Sequence, residues 1–152
     1  MHTNEQTLTV LGFRIPLIGV YVGWGFWPNE GEPHSVSFDS TRVIKHRKWL
    51  LGFWHTHPFM VNYPSGIDHQ TMYAWCNVVG KPLFCMIEGL DGEHYDDPLN
   101  EDSVTPVMVS NYLFKTYPRE NKDNERGYVG HSYKFGRLFF WRVGYDVLAQ
   151  GR

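Results

Sequence analysis

The sequence predicts an α+β fold, α/β/α-like, in which a mixed, mainly antiparallel sheet carries one clear helix. Two observations predict it. Segments rich in β-branched, aromatic and other apolar residues recur along the chain, at 8–27, 50–57, 82–89, 105–114 and 133–145. One stretch, 65–79, has the caps and the apolar period of a helix, and strands flank it on both sides.

Taken in order, residues 8–27 (LTVLGFRIPLIGVYVGWGFW) read as strand with bends at Gly12, Pro16, Gly19, Gly23 and Gly25. The segment 27–33 (WPNEGEP) has the composition of a turn or loop. Residues 35–38 (SVSF) alternate as a half-buried strand does. Residues 39–49 fit either a short helix capped by Asp39 or Ser40 or an extended edge. LLGFWHTH (50–57) is a buried strand that Pro58 ends. Ser65 caps the helix over 65–79, and Gly80-Lys81-Pro82 stops it. Its apolar stripe is Ile67, Met72, Trp75, Cys76 and Val79. PLFCMIEG (82–89) is an apolar strand, and 90–104 is an acidic loop. Residues 105–114 form a strand, 117–127 (YPRENKDNERG) a charged loop or hairpin tip, and 133–145 a closing strand.

A length of 152 residues fits one domain, 1–152, and 42% apolar residues with 16% aromatic ones exclude a disordered chain. Fourteen basic and 16 acidic residues are interspersed for a net charge of −2. With no basic stripe, neither nucleic acid nor an anionic membrane is the expected partner. Cys76 and Cys85 are too few for a disulfide framework and are expected as small buried apolar side chains. The start, MHTNEQTLTV, lacks the pattern of a signal peptide, and no apolar run approaches the roughly 20 residues of a membrane span. The expected location is cytoplasmic. Oligomeric state is left open.

The chemistry-bearing segment is HTHPFMVNYPSGID (55–68). On a strand, His55 and His57 share a face, about 6 to 7 Å apart. Ser65 and Asp68 open the helix three residues apart, where the helix dipole favours a carboxylate. Two imidazoles and one carboxylate, with a fourth position left for water, is how catalytic zinc is held. The mixed nitrogen and oxygen set suits Zn2+ better than calcium or magnesium. Taken singly, an H-x-H pair is more often structural and Ser-x-x-Asp is more often a cap; their conjunction at a strand end and the next helix start marks a site.

The string H-T-H-P, six further residues, then S-G-I-D resembles the JAMM motif of the JAMM/MPN family of zinc metallopeptidases at every motif position. The resemblance covers roughly 50–89. It implies an MPN-like fold, with His55, His57 and Asp68 as zinc ligands. Ser65 would hold the oxyanion or orient the attacking water. The implied activity is that of a metallo-(iso)peptidase cleaving an amide bond after an extended, glycine-ending tail of a ubiquitin-like or other protein. Active members carry a glutamate as general base in a pattern like E-x-x-G-hydrophobic-x-hydrophobic-G. PLIGVYVG (16–23) resembles that strand, but Pro16 stands at the glutamate position. The base is therefore expected from Glu30 or Glu32, in the loop that Gly31 lets fold back, with Glu5 and Glu88 as alternatives. The rival reading is a non-catalytic, zinc-containing binding module.

Overall fold

The computed structural model describes residues 6–30, 38–58, 61–90, 104–115 and 126–143. The apolar segment near the start of the chain does not run as one strand. It folds back at a turn over 16–19, where Gly19 takes φ 68°, and its arms pair antiparallel as β1 (Gln6–Ile15) and β2 (Val20–Glu30). Residues 27–30, of loop composition, thus extend β2. After residues 31–37, which lie outside the described ones, α1 (Ser40–Lys45) begins. The Asp39 carboxylate accepts from the Arg42 amide at 3.1 Å, which settles 39–49 as helical at its start.

β3 (Leu50–His57) leads into α2 (Gly66–Val79), whose ends are well punctuated. Ser65 and Asp68 form a reciprocal capping box, and Gly80 closes the helix in the left-handed conformation at φ 74°. β4 (Leu83–Gly89), β5 (Val107–Phe114), β6 (Arg126–Phe135) and β7 (Leu138–Arg142) follow. The last two form a hairpin turning at Gly136, φ 61°. Residues 133–145 are therefore not one strand, and 126–127, the end of the expected charged loop, open β6.

The layered α+β, MPN-like sheet expected from the sequence is corrected here. The strands close into a seven-stranded barrel in the order β1-β2-β7-β6-β5-β4-β3, with β3 returning to β1. Two features explain the closure. Gly12 faces Gly23 across the first hairpin, and a Cβ on Gly12 would sit 1.9 Å from the Val22 carbonyl oxygen; a Cβ on Gly52 would meet that of Phe84 at the same distance. Backbones this close let the sheet coil tightly. Register also shifts within β1, at Thr7/Thr9 against β2 and at Val10/Leu11 against β3, and again at Asn111/Tyr112 in β5. Such bulges add twist, and a strongly twisted sheet curls until its edges meet.

Every pairing is antiparallel except β3 with β4. Parallel neighbours need a crossover, and α2 supplies it. Strand alternation then separates two cores. Trp54, Phe84 and Met86 point into the barrel with Leu8, Val10 and Trp141. Phe53, Cys85 and Ile87 point outward beneath Met72, Trp75 and Cys76 of α2. Each large side chain so covered contributes about 1.5–3 kcal/mol. Ile67, expected in the apolar stripe, is 56% exposed; Asp68 takes the inward place in the first turn. Cys76 and Cys85 are buried and form no disulfide among the described residues, and burial pushes the Cys76 thiol up to about 12. Among the described residues no helix is long and apolar enough to cross a membrane.

Candidate metal centre

His55 and His57 continue the outward set of Phe53, so they emerge on the α2 side at the carboxyl end of β3. Between them, Thr56 turns into the barrel wall, where its Oγ1 accepts the Gln6 amide at 2.9 Å and pins the start of β1 to β3. The capping box holds Asp68 rigidly in the first turn of α2. Its Oδ2 accepts the Ser65 amide at 2.8 Å, while Ser65 Oγ accepts the Asp68 amide at 3.1 Å.

The structure brings the three side chains to one point. His55 Nε2 and His57 Nε2 are 3.0 Å apart, and Asp68 Oδ2 lies 3.2 Å from the first and 3.0 Å from the second. All three residues are buried, at 4%, 5% and 2% exposure. Burial pushes the Asp68 carboxyl up, but hydrogen bonds from His55 and His57, the electrostatic pull of the His55 ring and the Ser65 amide outweigh it. The group is held well below the usual carboxylate range and is ionised.

Protons alone do not satisfy this triangle. If both imidazoles donate from Nε2 to Asp68, their two N–H groups face each other; if one accepts from the other, it has no proton for the carboxylate. A cation at the centre answers all three atoms together. Two ligands each ~2.0–2.1 Å from a tetrahedral zinc stand about 3.3 Å apart, close to the separations seen. Asp68 Oδ1 is in addition buried with no hydrogen-bond partner among the described residues. The group His55, His57 and Asp68 can therefore hold a metal ion.

Ser65 stands at the rim of this site, exposed, and its Oγ, which accepts the Asp68 amide, carries a hydroxyl hydrogen that can donate. Glu88 lies on the other side of the sheet. It pairs with Thr56 in the β3–β4 register and faces the barrel interior, where Trp54 Nε1 donates to its Oε1 at 3.2 Å and Lys134 Nζ stands 3.3 Å away. Glu30 ends β2 opposite Gln6, with β1 between its backbone and β3. Its side chain, like Glu32 and Glu5, lies outside the described residues. Pro16 sits in the turn at the far end of β1, nine residues and roughly 30 Å of strand from Thr7, so its identity does not bear on the metal site.

One neighbour of the site was hidden in the sequence. Thr7, 1% exposed, stands directly across from His55. Only the non-local pairing of β1 with β3 brings it there, and no local pattern announces it. Compared with known proteins, the chain is matched by no family model and by no curated protein.

Proposed function

We propose that the protein is a zinc-dependent metallo-(iso)peptidase that cleaves an amide bond following an extended tail of a ubiquitin-like or other protein. The observation that carries this reading is the convergence of His55 Nε2, His57 Nε2 and Asp68 Oδ2 within 3.0–3.2 Å. Two imidazoles and one carboxylate favour zinc and leave a coordination position open for chemistry. Zinc held there would polarise the scissile carbonyl and lower the pKa of water toward ~7. The likeness of residues 55–68 to the JAMM motif supports the same reading, and a catalytic constellation does not depend on the layered fold first expected.

The remaining roles fall to the chain itself. His55 and His57 must be neutral to ligate, and Asp68 must be ionised, as it is. The Ser65 hydroxyl donates to the oxyanion that forms as the carbonyl is attacked. The proton acceptor is assigned to Glu30 or Glu32, with Glu5 as the alternative.

The test is turnover of isopeptide-linked and linear peptide substrates by the protein loaded with zinc and by the same protein after chelation. Cleavage that chelation abolishes and zinc restores is the expected result. A fully zinc-loaded protein that cleaves none of them would leave only the metal-containing binding module.

A further inference from the structure

A second polar site lies on the same outer face as the metal centre. The β1–β2 pairing shifts register between Thr7 and Thr9, and in the bulge Trp27 adopts φ 53°, a conformation that side chains other than glycine rarely take. The bulge lays the indole against α1, with the Arg42 guanidinium 5.2 Å from its ring centre and the His46 ring 5.2 Å away. Under it is a cavity of about 140 Å³ whose lining includes Thr9, Trp27, Asn29, Phe38, Asp39 and Arg42. A cavity of about 150 Å³ is large enough to admit benzene, so this one admits a single side chain or chain terminus.

The polar atoms of this cavity are unbalanced. Thr9 is 0% exposed, and its Oγ1 has no hydrogen-bond partner among the described residues; neither has the buried Asn29 Nδ2. Asn29 Nδ2 is a pure donor, the Thr9 hydroxyl can donate, and Arg42 carries five donors. The one acidic group among the described lining residues, Asp39, is already engaged by the Arg42 amide at 3.1 Å and by Arg42 Nε at 3.4 Å. What is wanting is an acceptor, and beside a guanidinium the best acceptor is an anion.

The position relative to the metal centre is set by register. Thr9 pairs with Phe53 and Thr7 with His55, so the cavity begins two residues along the strands, about 7 Å from the metal ligands. An extended peptide covers that distance in two residues. We propose that this cavity is a substrate subsite for a carboxylate carried two residues from the cleaved amide bond, either an acidic side chain or a free C-terminus. The assignment of a cleaved bond rests on the peptidase reading above; the carboxylate preference rests on the cavity alone.

The test is equilibrium binding of labelled, glycine-rich peptides to the full chain stripped of metal, so that no carboxylate can ligate an ion. One peptide carries a single glutamate and an amidated end, its twin carries glutamine, and a third has no acidic side chain but a free C-terminal carboxylate. At least one carboxylate peptide should bind about tenfold more tightly than the glutamine twin, and which one does identifies the source. Thr9→Val and Arg42→Gln should each remove the preference. Thr9→Val should also melt no lower than wild type, because the hydroxyl it deletes has no partner, which separates a lost site from a lost fold. Equal affinity for all three peptides, absence of binding, or a preference that survives both substitutions overturns the proposal. Zinc-dependent cleavage is scored separately, so failure of the peptidase reading leaves a distinct signature.

Discussion

Replacing Asp68 with asparagine separates the metal from everything else this residue does. Asparagine keeps the shape, and its Oδ1 can still accept the Ser65 amide that Asp68 Oδ2 accepts at 2.8 Å. Metal-free, the variant loses the charge facing His55 and His57 but no longer buries a carboxylate at 2% exposure, so the net cost is on the order of 1 kcal/mol. With zinc the two proteins should part. Free zinc at about 100 times Kd adds about 2.7 kcal/mol to the wild type, which for a domain of this size raises Tm by roughly 5–10 °C. With one of three ligands lost, affinity should fall at least 100-fold, leaving about 0.4 kcal/mol, or about 1 °C, at the same zinc concentration. Thermal unfolding of both proteins with and without zinc reads all four values. An equal zinc-induced rise in the variant would refute the assignment of Asp68 as a ligand.

Three further outcomes are expected. Ser65→Ala should keep zinc, lose about 1 kcal/mol of cap stability and slow turnover by about 10- to 1,000-fold; unchanged kcat would reduce Ser65 to a helix cap. The Glu30→Gln/Glu32→Gln double variant should lower kcat by about 100- to 10,000-fold with zinc content unchanged; retained turnover there, with loss in Glu5→Gln, would move the base to Glu5. Inside the barrel, Lys134→Met should cost about 3–5 kcal/mol by taking the cation from Glu88, and adding Glu88→Leu should recover much of it, as chemical denaturation can measure.

The candidate metal centre is legible in the sequence because its parts are local. An i, i+2 pair on a strand and a capping box at the next helix start are short-range patterns, and Ser65, Asp68 and Gly80 punctuate α2 where their chemistry requires. Barrel closure was not legible, because it rests on pairings such as Thr7 with His55 that join distant segments. The first part of β6, 126–132, carries no strand signal, because the inward residues of this strand include Ser132 and Lys134, both 0% exposed. Polar residues inside the barrel erase the alternation that marks a half-buried strand, and Gly127 and Gly130 add loop character. Trp27-Pro28-Asn29 read as a turn by composition, yet it is a bulge inside β2, and the cavity beneath it follows from that bulge. Residues 16–23, read as part of one bent strand, divide between the turn at 16–19 and the start of β2 at Val20, and no local apolar pattern marks that division.

The central claim is that His55, His57 and Asp68 share one zinc ion. Anomalous diffraction at the zinc edge, from crystals of the full chain grown with one equivalent of zinc, tests it most directly. The account predicts a single strong peak bounded by His55 Nε2, His57 Nε2 and Asp68 Oδ2, absent from crystals of the His55→Ala variant. A principal peak elsewhere, or one that persists at this position in His55→Ala, would contradict it.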